Sequence, residues 1–262
     1  MGILDRFALH GRVALVTAGA GPLFGSSIAE ALAEAGATVV TASRSLERNQ
    51  TFAARLRAAG HDAHGMQVDI TDVASIQRLH DGVMARFGRL DVLVNSALAR
   101  EAYAGGWDEM TVARWTAAAA GDMVGLYAIC HAFVADMVRQ GRGSIVNIGS
   151  IFSVVANDPT MYEGTSMKQP PAYPFVKAGM VNFTRYIAAY FGKQGVRANC
   201  ICPGGYFNHQ PQPFLGRYEK RCPLGRMLNH EDLKGAVVFL ASDASAYVTG
   251  HALVVDGGWT II

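Results

Sequence analysis

Apolar residues arrive along this chain in short unbroken runs that alternate with longer stretches of helical spacing. In the first half, residues 13–17, 38–41, 64–68 and 90–95 read as strands. Between them, residues 26–35, 46–59 and 73–87 repeat apolar positions every three or four residues, and Gly36, Gly60 and Gly88 close them as helix-ending glycines do. The second half predicts one long helix over 110–139, bent at Gly121 or Gly125, and a strand over 144–148. A helix over 173–191, a strand over 196–201, a helix over 231–241 and a strand over 251–255 complete the series. Strict alternation implies crossover connections and a parallel sheet covered on both faces, and continuous apolar strands suit that burial. The expected fold is α/β, a doubly wound parallel sheet in a single domain over residues 1–262. Residues 152–171 break the rhythm without any clean periodicity, which predicts a substrate loop or lid.

Composition narrows the function. Half of the 262 residues are hydrophobic, enough for a large core without disulfides or metal. A net charge of +2 with scattered basic residues argues against a nucleic-acid partner. Cys130, Cys200, Cys202 and Cys222 complete no zinc pattern and read as free thiols in a reducing compartment. His131, His209, His230 and His251 are widely spaced without acidic companions at ligand spacing, so no metal site is expected. The N-terminus has no apolar signal core, and Arg6 stands where a myristoylation signal after Gly2 needs Ser or Thr. No apolar run approaches membrane-spanning length. A soluble cytoplasmic protein without a membrane partner is expected.

Candidate chemistry begins at the first strand–helix junction, Thr17-Ala-Gly19-Ala-Gly21-Pro-Leu-Phe24-Gly25. Glycines let backbone approach a pyrophosphate, and the following helix N-terminus offers unpaired N–H groups and a positive dipole end. At the end of the second strand, an acidic side chain would hold a ribose 2′-OH; Ser43 and Arg44 stand there instead. Arginine suits a 2′-phosphate, which favours NADP over NAD as the cofactor. Tyr173-Pro-Phe-Val-Lys177 places a phenol and an ammonium on one helix face, where the cation favours the phenolate. Pro174 then belongs in the first turn.

These motifs run in an order that resembles the short-chain dehydrogenase/reductase family from end to end. The resemblance is carried by the Gly turn, Asp69-Ile70, Leu93-Val-Asn95-Ser-Ala97, Gly143-Ser-Ile-Val-Asn-Ile-Gly-Ser150, Tyr173 to Lys177 and Arg197-Ala-Asn-Cys-Ile-Cys-Pro203-Gly204. Pro223-Leu-Gly-Arg226 and Thr249-Gly-His-Ala-Leu-Val-Val-Asp256-Gly-Gly complete it. It implies that Tyr173 is the general acid–base, that Lys177 holds the nicotinamide ribose, and that Ser150 binds the substrate oxygen. It implies that Asp69 and Ile70 flank the adenine, that Asn95 and Ala97 line the cofactor groove, and that Pro203 and Gly204 pass the nicotinamide. Thr17, Gly19, Gly21, Phe24, Gly25, Ser43 and Arg44 complete the expected cofactor set. A homo-oligomer, tetramer or dimer, is a further implication.

The chain departs from the family pattern in three places. The Gly turn has Ala18 after Thr17, Leu23 in a glycine slot and Gly21 two residues early. Asp122 stands seven residues after Trp115, where the family has Asn; its charge near Lys177 would raise the tyrosine pKa and move the pH optimum alkaline. Ser150 precedes Tyr173 by 23 residues, more than in many relatives, and the extra segment holds Tyr162 and Lys168. That pair is one short of the enoyl-reductase spacing, so Tyr162 reads as a loop residue. Polar Asn157, Glu163, Thr165 and Ser166 suit hydroxyl groups. The expected activity is reversible hydride transfer between NAD(P)(H) and an alcohol/ketone pair, a sugar or polyol derivative foremost. The alternatives are a 3-oxoacyl thioester reductase and a non-catalytic dinucleotide sensor or scaffold on the same fold.

Overall fold

The protein, seen here as a computed structural model, is described over residues 2–262, so Met1 of the N-terminal stretch lies outside it. The strands are β1 (Val13–Thr17), β2 (Thr38–Ser43), β3 (Ala63–Gln67), β4 (Val92–Asn95), β5 (Gly143–Ile148), β6 (Val196–Pro203) and β7 (Ala252–Val255). Among the described residues they form one parallel sheet of seven strands in the order β3-β2-β1-β4-β5-β6-β7. The helices are α1 (Phe24–Glu34), α2 (Leu46–Ala58), α3 (Val73–Phe87), α4 (Val112–Ala119), α5 (Gly125–Arg139), α6 (Ala172–Phe191), α7 (Phe214–Arg221) and α8 (Lys234–Ala241).

Alternating strand positions feed two cores. Ala14 and Val16 of β1 face Ile28, Leu32, Val237 and Leu240 of α1 and α8. Val13 and Leu15 face the other way, toward Ile76, Ile129 and Phe133 of α3 and α5. Strand order reverses between β1 and β4, and such a switch point opens a crevice at the carboxyl ends of the strands.

The expected strands and most helices are present, with shifted ends. The first helix starts at Phe24 rather than at 26, and α8 starts at Lys234 rather than at 231. The long central helix is three pieces: α4, one π-turn over Ala120–Val124, and α5. Its two glycines serve close approach: a Cβ on Gly121 would lie 2.5 Å from Ala99 Cβ, and one on Gly125 would lie 2.3 Å from Ile70 O. Taken together, Val112–Arg139 is long and apolar enough to cross a membrane, which corrects the expectation that no run approaches that length. Half of its apolar window is buried inside the fold. Helix α7 was not expected, and residues 152–171 hold the end of one 3-10 turn, Ile151–Ser153, and a second, Pro159–Tyr162, before α6.

Phe133 is fully buried on the α5 side of the sheet and stacks near His80, with ring centroids 5.1 Å apart. Phe133→Ala is expected to destabilise the fold by about 3–5 kcal/mol. A fall in the denaturant midpoint at unchanged slope would show it, and an unchanged midpoint would contradict this packing.

Candidate active site

At the switch point a groove of about 460 Å³ runs from Arg44 to Lys177. The glycine-rich turn forms one side. Ala18 takes the left-handed conformation, φ 53°, and its carbonyl points under the start of α1. A Cβ on Gly25 would lie 2.0 Å from Ala18 O and one on Gly21 2.9 Å, so both glycines are required for the chain to close here. Gly21 accordingly sits inside a workable cradle despite its early position. The backbone and the α1 N-terminus fit a pyrophosphate.

The expected cofactor residues divide into two sets. Gly21, Phe24, Gly25, Ser43, Arg44, Asp69, Ile70, Ala97, Tyr173 and Lys177 all border the groove. Pro203 and Gly204 border the neighbouring cavity, where Phe24 and Tyr173 reappear. Thr17, Gly19 and Asn95 stand behind the groove wall. The Thr17 hydroxyl accepts hydrogen bonds from the N–H groups of Ser96 (3.0 Å) and Ala97 (3.1 Å), tying β1 to the loop after β4. Gly19 leaves room for Thr41 Cγ2, which a Cβ would meet at 2.9 Å. Asn95 donates to Asn147 Oδ1 at 2.9 Å across β4 and β5. The Asp69 carboxylate turns to Thr71, accepting from its N–H at 2.9 Å and its hydroxyl at 2.8 Å, which holds it below the usual carboxylate range. Arg44 reaches the groove but pairs with Glu101 at 2.6 Å.

The Tyr173–Lys177 pair sits at the inner end of the groove. Tyr173 and Pro174 occupy the first turn of α6, as the proline required. Lys177 is buried, and its Nζ donates to Ile148 O at 2.7 Å at the end of β5. That places the ammonium 5.8 Å from the centre of the Tyr173 ring. Ser150 follows β5 by two residues; its hydroxyl accepts from Phe152 N–H at 3.2 Å, which keeps it at the cavity floor.

Asp122 faces the same place from the π-turn. It is 4% exposed, and burial raises its pKa, with Lys177, Tyr103 and the Ala99 N–H pulling the other way. Its oxygens accept from Ala99 N–H (3.1 Å) and from Tyr103 O–H (2.5 Å). Tyr103 then meets Tyr173 edge to face, with centroids 5.5 Å apart at 88°. Burial, followed by the charge of Asp122, pushes the Tyr103 phenol above its ordinary pKa. Neither Tyr103 nor its contact could be read from spacing.

Beyond Ser150 and Tyr173 lies a cavity of about 440 Å³. Its far wall is an aromatic cluster. Tyr162 packs on Phe214 of α7 (5.3 Å), Tyr218 of α7 stacks on Trp259 (5.9 Å), and Arg221 lies 4.2 Å over the Trp259 ring. Tyr162 is therefore a cavity wall and not a solvent loop residue; burial, then the neighbouring Tyr173, pushes its phenol up to about 12. Tyr162 and Lys168 lie on opposite sides of Gly164, φ 73°, and share no helix. Asp158 anchors the segment to α7 through Arg221 at 2.9 Å. His230 pairs with Glu30 at 2.5 Å, far from this cavity's lining.

Comparison with known proteins places this geometry. A family model described as enoyl-(acyl carrier protein) reductase matches residues 23–260. The chain is 37% identical over 261 residues to D-threitol dehydrogenase of Mycolicibacterium smegmatis, covering 97% of this chain and 95% of that protein. It is 37% identical over 258 residues to cis-4-hydroxycyclohexanecarboxylate dehydrogenase of Sinomonas cyclohexanicum, covering 96% and 97%. The crystal structure of a gluconate 5-dehydrogenase from Burkholderia cenocepacia J2315, in complex with NADP and tartrate, superposes with a TM-score of 0.90 at 31% identity over 100% of both chains.

Burial and Lys177 act on Asp122 in opposite directions, and an ionised carboxyl here would oppose the Lys177 charge. Asp122→Asn keeps an oxygen for Tyr103 and removes that charge. The acid limb of kcat/KM for alcohol oxidation is expected to move toward lower pH by about one unit. Superimposable profiles for the two proteins would refute the electrostatic role.

Proposed function

Because the chain belongs to the short-chain dehydrogenase/reductase family, we propose that it interconverts an alcohol and a ketone on a small polyol, sugar-derived or ring-alcohol substrate, with NADP(H) as cofactor. An NAD(P)-dependent oxidoreductase acting on CH–OH or C=O groups follows from that membership and from its dehydrogenase relatives. The observation that carries the finer reading is the position of Tyr173, which borders both the cofactor groove and the cavity, with Ser150 on the cavity floor.

The groove fits a dinucleotide: the Gly21–Gly25 cradle suits the pyrophosphate, Asp69 and Ile70 the adenine end, and Lys177 the nicotinamide ribose. Bound there, the nicotinamide supplies or accepts the hydride. The protein handles the proton. Tyr173 O–H donates to the carbonyl oxygen as it becomes an alkoxide, and takes the proton back in oxidation. The buried Lys177 ammonium favours negative charge on the phenolic oxygen during that exchange. Ser150 Oγ donates to the same substrate oxygen, stabilising charge as it develops. In this reading residues 152–171 are the substrate loop.

Ser43, Arg44 and Arg48 border the ribose end of the groove, which supports NADP. Exposed Tyr127 on α5 and Tyr186 and Tyr190 on α6 support assembly into a homo-oligomer, tetramer or dimer. Four buried free thiols suit a reducing compartment, the cytoplasm.

Two variants test the reading on a panel of keto sugars, cyclic ketones and oxoacyl thioesters. Tyr173→Phe is expected to lower kcat/KM by about 10²–10⁴-fold while NADPH binding persists. A variant as active as the parent would sink the assignment. Arg44→Ala is expected to weaken NADPH binding by about 10–100-fold, the worth of one charge-assisted hydrogen bond, with NADH far less affected. Equal losses for both dinucleotides would place the 2′-phosphate elsewhere.

A further inference from the structure

The cavity beyond Tyr173 has a charge pattern that the proposed activity does not require. Among the described residues, its lining contains no Asp and no Glu, but it does contain Arg100 and Lys168. Lys168 comes from the segment before α6, and its stem packs beside Gly106 of the loop after Arg100–Ala102. Its only acidic neighbour, Glu109, is 3.9 Å away, and that carboxylate already accepts from Gly106 N–H at 3.0 Å. Arg44 is taken by Glu101 and Arg114 by backbone carbonyls, which leaves Arg100 as the guanidinium of this loop with no partner among the described residues.

Three of the uncharged polar side chains of the lining are engaged by the protein itself. Gln210 donates to Tyr206 O (2.7 Å) and accepts from Asn208 N–H (2.8 Å). Tyr218 accepts from Gly205 N–H at 2.7 Å, and Tyr103 donates to Asp122. Recognition of many hydroxyls needs free acceptors, and carboxylates are the strongest of them. Among the described residues this cavity offers no carboxylate. It offers instead aromatic walls and two cations at its rim, Arg100 with no partner among the described residues and Lys168 paired only at 3.9 Å with Glu109.

We propose that the substrate is a hydroxy or oxo carboxylic acid, its carboxylate held by Lys168 and Arg100 and its carbinol carbon at Ser150 and Tyr173. The inference rests on the alcohol/ketone reading above and adds the anion. The apolar body of the acid lies against Tyr162, Phe214 and Trp259. Arg100 also borders the cofactor groove, whereas Lys168 borders only the cavity, so Lys168 is the deciding residue.

The experiment compares matched pairs, 4-hydroxycyclohexanecarboxylate with its methyl ester and gluconate with sorbitol, for turnover and, by calorimetry with NADP present, for binding. The parent protein is expected to prefer the acid of at least one pair by 10-fold or more in kcat/KM, about 1.4 kcal/mol. Lys168→Ala is expected to collapse that ratio through KM rather than kcat, and Lys168→Arg to restore it. Turnover with no preference for the acid, or a preference that survives Lys168→Ala, overturns the inference and leaves the alcohol/ketone reading standing. Acid binding that depends on Lys168 without turnover overturns the alcohol/ketone reading and keeps the anion site. Neither turnover nor binding on any pair overturns both.

Discussion

The hydrogen bond from Lys177 Nζ to Ile148 O fixes the geometry on which the rest of the site depends. An ammonium only 5% exposed must satisfy its protons locally, and a carbonyl left unpaired where β5 ends is the partner at hand. The bond pins the first turns of α6 to the rim of the sheet. Tyr173, one turn earlier on the same face, is then carried to the mouth of the switch-point crevice. Ser150 is two residues beyond the same carbonyl, so one short stretch at the end of β5 sets both Lys177 and the Ser150 hydroxyl.

Much of this was legible in the chain. The alternation of apolar runs with helical spacing identified the doubly wound sheet, because doubly covered strands leave a signal that does not depend on distant contacts. Tyr173, Lys177 and the glycine turn were legible from their spacing once the resemblance to the family was added, and Ser150 from that resemblance alone. Tyr103 was not. Its role arises from a π-turn that rotates Asp122 toward it, and a π-turn leaves no mark beyond two glycines. Helix α7 was missed for a related reason: only Phe214 and Tyr218 of its eight residues are buried, too few for an apolar stripe. Thr17, Gly19 and Asn95 had the right residue types but support the wall from behind, a distinction that depends on which way a side chain points.

The replacement of an amide by a carboxyl at position 122 changes the character of the centre. An amide offers one acceptor and two donors; the carboxylate offers acceptors only. Both Asp122 oxygens are used, one by Ala99 N–H and one by Tyr103 O–H. The second bond holds an aromatic ring that packs edge-on against Tyr173. Burial disfavours the charged carboxyl, while Lys177, Tyr103 and the Ala99 N–H favour it.

The far wall of the cavity comes from the end of the chain. Asp256 accepts from Gly258 N–H (2.9 Å) and Thr260 N–H (2.8 Å), closing a tight turn that presents Trp259, 1% exposed, to α7. Gly258 is left-handed, φ 85°, and a Cβ there would press on Pro223 at 2.8 Å, so the turn and the segment after α7 are mutually fitted. Residues 152–171 then lean on that platform through Tyr162 and Phe214 and through Asp158 and Arg221. A segment with only short 3-10 turns of its own is thereby held beside Tyr173 by aromatic packing and the Asp158–Arg221 ion pair. The platform is a third buried cluster, which includes Ile151, Met161, Phe214, Tyr218 and Trp259, separate from the two cores that sandwich the sheet.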